Sequence, residues 1–194
     1  MKETVLKSIR ESVDVKNAIL ADPLMINKIL VVAKEIIGCY ERGGKVLFCG
    51  NGGSAADAQH LSAELSGRFY YDRPPLNAEA LHVNTSFLTA VANDYSFDEV
   101  YARMVRAVGN KGDILVGIST SGNSSNIVRA FSEAKAIGMI TVGLTGIDGG
   151  KLKETAQFLL NVPSSDTPRI QESHIMIGHI LCQLVEAELF PKER

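Results

Sequence analysis

Lys45–Phe69 reads KVLFCGNGGSAADAQHLSAELSGRF, and this stretch decides the fold. Val46, Leu47, Phe48 and Cys49 form an unbroken apolar run of the length of a buried strand. Gly50, Asn51, Gly52 and Gly53 break that pattern, and Ser54 opens a helix-like run ending near Gly67. A strand, a glycine turn and a helix start leave backbone N–H groups pointing outward, a cradle for an anion or a sugar hydroxyl. On the helix, His60 and Glu64 stand at i and i+4 and share a face. This segment therefore points to a phosphorylated sugar as ligand.

Outward from it, the pattern recurs. Asp113–Ile118 is a second buried-strand run, Ser119–Ser125 (STSGNSS) a small polar loop, and Asn126–Ile137 a helix. Ile140–Leu144 is a further strand, ended by Thr145-Gly146-Ile147-Asp148-Gly149-Gly150, and Gln157–Val162 another, ended by Pro163. A last helix runs from about Arg169 to Leu189. Between the first two units, Tyr70–Pro75 is a loop by its prolines and Ala80–Val83 a short strand. Ser86 caps a helix through Ala92, Asn93-Asp94-Tyr95 breaks it, and Phe97–Val108 is helical again. Ahead of everything lie two amphipathic helices, the second opened by Asp22-Pro23 and stopped by Gly43-Gly44. The pattern predicts an α/β fold in one domain, residues 1–194: a doubly wound parallel sheet with helices on both faces and two N-terminal helices. In such sheets ligands sit beyond the carboxyl ends of the strands, where both glycine/serine loops fall.

Composition narrows the function. With 45% apolar and 22% charged residues the chain is ordinary for a globular domain. A net charge of −2 with no basic run argues against nucleic acid as a partner. No signal-like apolar core follows the charged Met1–Arg10, and IMIGHILCQLV is too short and interrupted to span a bilayer. Cys39, Cys49 and Cys182 lack CxxC spacing and read as buried reduced thiols of a cytoplasmic protein.

Hydroxyl groups, free N–H groups and a helix start make STSGNSS a match for a phosphate monoester, and the absence of GxxxxGK[ST] excludes a nucleotide P-loop. The same composition also fits a capped turn whose serines satisfy local backbone. Likewise Glu64 fits a solvated helix face, and His60 a packed histidine. The last helix carries Arg169, Gln171, Glu172, His174 and His179. His179 lies in the apolar run IMIGHILC, which would bury it; periodicity does not choose among Gln171, Glu172 and His174 as its face-mates, although Glu172 is nearest it in helical projection.

CGNGGSAADAQHLSAEL, AVANDY, GISTSGNS, LTGIDGG and RIQESHIMIGHILCQLVE together resemble the sugar isomerase (SIS) fold and, within it, the phosphoheptose isomerases. The STSGNS loop marks the SIS fold broadly, whereas the AQH…E and RIQE…H pair is narrower. The resemblance implies interconversion of sedoheptulose 7-phosphate and D-glycero-D-manno-heptose 7-phosphate, the aldose–ketose step that begins ADP-heptose synthesis for lipopolysaccharide or capsule. It implies Glu64 as the base moving a proton between adjacent carbons, with His179 as its acid/base partner. Ser119, Thr120, Ser121 and Ser124 match the family's phosphate loop. Asn51, Gly52, Gly53, Asn93, Asp94 and Gln171 match its substrate contacts. Some members hold a zinc ion through positions matching His60, Glu64, Gln171 and His179, and the family assembles as homotetramers with shared active sites. Removing a proton beside a carbonyl gives an enediolate, so a partly desolvated carboxylate and a group that polarises the carbonyl are what the chemistry needs.

Two other readings compete. A non-catalytic SIS tetramer binding a protein in replication initiation lacks residues corresponding to Glu64 and His179. A sugar-phosphate-sensing regulator comes attached to a DNA-binding segment, and this chain has no basic helix-turn-helix extension.

Overall fold

Every residue of Val46–Gly50 is buried, and together they form the first strand, β1, of the computed structural model, which describes residues 1–192. The last two positions of the expected 1–194 domain lie outside the described residues. Two helices precede β1: α1 (Lys2–Leu20) and α2 (Pro23–Glu41). Asp22 opens α2 by accepting hydrogen bonds from the N–H groups of Leu24 and Met25 at 2.9 and 3.2 Å, while Pro23 needs no acceptor. Then follow α3 (Gly53–Ser66), β2 (Ala78–Ala80), α4 (Thr85–Asp94), α5 (Val100–Val108), β3 (Ile114–Ile118), α6 (Ser125–Ala136), β4 (Ile140–Thr145), α7 (Leu152–Thr155), β5 (Phe158–Asn161) and α8 (Thr167–Leu189).

The strands pair in the order β2-β1-β3-β4-β5, all parallel. Alternation along each strand divides the core. Phe48, Val116 and Leu144 pack with Ile36, Leu61, Ile177 and Leu181 from α2, α3 and α8. Leu47 and Leu115 pack on the other face with Tyr101, Ile127 and Phe131 from α5 and α6. Chain direction across the sheet reverses between β1 and β3, so the crevice beyond their carboxyl ends is where a doubly wound sheet binds ligands.

The local differences from the sequence reading have simple causes. The short strand is Ala78–Ala80 rather than Ala80–Val83, because Ala78 is the residue that registers with Val46. Asn84, not Ser86, caps α4: its side chain accepts from Phe87 N at 3.0 Å. The helix expected from Phe97 begins as a single 3₁₀ turn, Phe97–Glu99, before α5. The single turn of α7 carries no periodic signal long enough to read.

Candidate active site

The two glycine/serine loops are joined at the switch point. Asn51, directly after β1, and Asn126, in the first turn of α6, exchange reciprocal side-chain amide bonds of 2.9 Å. Asn126 Oδ1 also accepts from Ile127 N at 3.0 Å, which holds its amide plane. Tyr101 donates its hydroxyl to Gly50 O, anchoring the start of α5 at this edge. Gly52 precedes α3 with φ +56°, a conformation that disfavours a side chain, and no side chain caps the helix start. Ser124 stands at the start of α6, again without a side-chain cap bond. Its hydroxyl is 3.0 Å from that of buried Ser119, while exposed Ser121 accepts from Asn123 N at 3.1 Å. Both helices thus present first-turn N–H groups beside hydroxyls, a polar cradle suited to an anion. Beside this loop lies a cavity of about 240 Å³, lined by Thr120, Ser121, Ser164, Thr167 and Ile170 among others, between the end of β4 and the start of α8.

The second group forms where α3 and α8 pack together. His60 Nε2 lies 2.9 Å from His179 Nε2 and 3.4 Å from Glu64 Oε1. Whichever ring donates in the imidazole pair, the other accepts through a neutral nitrogen. Phe69 places its ring centroid 5.7 Å from that of His179. Gln171 leans over the start of α3: a Cβ on Gly53 would fall 2.6 Å from Gln171 Nε2. Glu172, the residue favoured by helical projection, instead bonds Arg169 at 2.7 Å and faces Lys16 on α1.

Of the residues singled out in the sequence, the fold brings His60, Glu64 and His179 together, sets Gln171 against Gly53, and gathers Ser119 with Ser124. Asn93 and Asp94 end α4, exposed, with Asn93 Nδ2 bonded to Asp94 Oδ1 at 2.9 Å. They make no side-chain hydrogen bond to the histidines or the serine loop among the described contacts. His179 is half-buried, not enclosed, while His174 is the fully buried imidazole. Sequence reasoning passed over Asp57, which lies at i−3 from His60 on α3, a spacing that was there to be read. Burial lifts its carboxyl above the ordinary value while the charges of His60 and His179 pull it down, and Oδ2 is buried without a partner.

Among the described residues no three His, Cys, Asp or Glu side chains close around a single point. Two spacings around His60 can be set against the geometry of zinc. Its tetrahedral ligands at ~2.0–2.1 Å stand roughly 3.3 Å from one another. The spacings of 2.9 and 3.4 Å around His60 lie within a few tenths of an ångström of that edge. The amide of Gln171 is placed against Gly53 at the start of α3.

The SIS domain family matches residues 16–146. A phosphoheptose isomerase of Clostridium acetobutylicum is 53% identical over 190 residues, covering 98% of this chain and 97% of that protein. The solved structure of a phosphoheptose isomerase from Neisseria gonorrhoeae superposes with a TM-score of 0.89 at 43% identity, covering 96% of this chain and 98% of the other. That of a phosphoheptose isomerase from Francisella tularensis gives 0.88 at 40% identity, covering 94% and 96%. Fold and kinship agree: the chain belongs to the SIS domain family and, within it, to the phosphoheptose isomerases, enzymes that isomerise a sugar phosphate.

Proposed function

We propose that the chain interconverts sedoheptulose 7-phosphate and D-glycero-D-manno-heptose 7-phosphate through an enediolate, opening ADP-heptose synthesis for lipopolysaccharide or capsule. The observation that carries the reading is the convergence of Glu64, His60 and His179 where α3 packs on α8, in a fold whose β3–α6 turn also carries an uncapped serine loop. Ser119, Thr120, Ser121 and Ser124 hold the phosphate, far from the reacting carbons, and contribute positioning. Asn51, Gly52, Gly53 and Gln171 face the sugar hydroxyls. Glu64 takes the proton from the carbon next to the carbonyl and returns it to the neighbouring carbon. His179 carries the accompanying proton between the two oxygens, so the conversion balances without an external oxidant or reductant.

His60, Glu64, Gln171 and His179 would hold one zinc ion per subunit, which when bound supplies Lewis-acid polarisation of the carbonyl oxygen. Glu64 has two carboxylate oxygens, so one stays free for the proton while the other is held. Asn93 and Asp94 join the substrate site in an assembled homotetramer whose active sites are shared; their exposure at the end of α4 suits that role. Three buried free thiols support a cytoplasmic setting.

Glu64→Gln is the direct test. The variant keeps shape and hydrogen bonding but loses the base, so turnover of sedoheptulose 7-phosphate falls roughly 100-fold or more while binding persists. Near-normal turnover would remove Glu64 from the chemistry.

A further inference from the structure

An ion pair lies beneath the site, and none of the roles given so far uses it. Arg73 and Glu186 are each only 2% exposed in their side chains and meet at 3.2 Å, Nε to Oε2. Arg73 folds back under the end of α3. Its Nη2 donates to Glu64 O at 2.8 Å, and Nη1 donates to Leu65 O at 2.7 Å while sharing its hydrogens with Pro74 O and Gly67 O at 3.0 and 3.2 Å. These include carbonyls that a helix end leaves without intrahelical partners. Gly67 closes α3 at φ −93°, outside the left-handed region, so no glycine cap satisfies them and the guanidinium takes that place. Glu186 gathers the following loop: its oxygens accept from Phe69 N at 2.8 Å and Tyr70 N at 2.7 Å. It sits two helical turns beyond His179 on α8 and so on nearly the same face.

A continuous path results. It runs from the backbone of Glu64 through Arg73 and Glu186 to the backbone of Phe69, whose ring abuts that of His179. We propose that Arg73 and Glu186 are positioning residues of the active site, setting the carboxylate of α3 and the imidazole of α8 at their working separation. Stability alone is a poor account of the pair, because well-packed apolar replacements of buried ion pairs are often as stable or more so. What an apolar pair cannot do is hold Glu64, Leu65 and Gly67 carbonyls and two loop N–H groups in one fixed arrangement. This inference rests on the isomerase reading, and its test separates the two.

The double variant Arg73→Met/Glu186→Leu removes both charges and leaves neither unpaired. Its folding is followed by circular dichroism and its kinetics with sedoheptulose 7-phosphate. The expected result is a folded protein with kcat lowered about tenfold or more, the sensitivity that displaced catalytic groups show. KM stays within about threefold, because the phosphate loop belongs to β3 and α6. A folded double variant with kcat within about twofold of the parent, or with the loss in KM alone, overturns the proposal. Should the double variant fail to fold, Arg73→Lys is read by the same split, since an ammonium lacks the fork that spans the carbonyls and Glu186. A second readout needs no turnover: imidazole nitrogen resonances. Those of His60 and His179 should shift in the variant while those of His82 do not, and unchanged His60 and His179 signals overturn the proposal. A parent protein inactive on the heptose phosphate defeats the substrate reading only, and the resonances still decide the positioning role.

Discussion

At the residue scale, the histidine most altered by the fold is His174, outside the candidate catalytic group. It is 0% exposed, donates from Nε2 to Thr145 O at 3.1 Å, and has its Nδ1 buried without a partner. Burial lowers its pKa from 6.5 to about 4, against the opposing pull of the Thr145 carbonyl. The sign of the consequence follows. Between those values the unfolded chain takes up a proton that the folded chain refuses, so stability falls as pH drops from about 6.5 towards 4. The full loss is about 3 kcal/mol, with roughly 2 kcal/mol gone by pH 5. Urea unfolding at pH 7.5 and pH 5 should show this decrease in the parent and a smaller one in His174→Gln; equal decreases would assign it elsewhere. The apolar run around His179 pointed to the wrong histidine for a geometric reason. Residues 174, 177, 178 and 181 form the face of α8 that turns to the core, and His179 lies off it, towards α3.

At the scale of elements, the site depends on how closely α3 and α8 approach. Gly178 permits that approach: a Cβ there would lie 2.5 Å from Leu61 Cδ1. Gly178→Ala should therefore cost about 1–3 kcal/mol by overpacking. Turnover should fall as the helices part, and chemical denaturation alongside the kinetic assay measures both. Unchanged stability would mean that the helix pair adjusts freely. β1, β3, β4 and both polar loops were legible because continuous apolar runs stopped by glycine or serine leave few alternatives, whereas Ala78–Ala80 is too short and too mixed to be placed that way. The i, i+4 pair His60/Glu64 was legible from helix geometry alone. Periodicity could not choose Gln171 over Glu172, because that choice depends on α8 packing against α1 as well as α3. Nor could it join Arg73 to Glu186, 113 positions apart along the chain. Such pairings are made by tertiary packing, and a single sequence carries no local trace of them.

At the scale of the molecule, α1 leaves Val5, Ile9 and Val13 exposed at 58%, 57% and 49%, an apolar row along one side of the helix. Leu24, Ile26 and Leu30 of α2 are exposed as well. With the homotetramer proposed above, these rows should be covered by neighbouring copies. Light scattering at micromolar concentration should give about four times the chain mass, and a monomer would contradict the assembly. Among the described residues no helix is long and apolar enough to cross a membrane. The central claim is that a carboxylate on α3 moves a carbon-bound proton of a heptose phosphate beside an imidazole on α8. Proton NMR of the reaction in D₂O tests it most directly. The parent should convert sedoheptulose 7-phosphate to the aldose and place solvent deuterium on the carbon next to the carbonyl, while Glu64→Gln should do neither at a comparable rate. Deuterium entering equally fast in Glu64→Gln, or a parent that leaves the sugar unchanged, would contradict it.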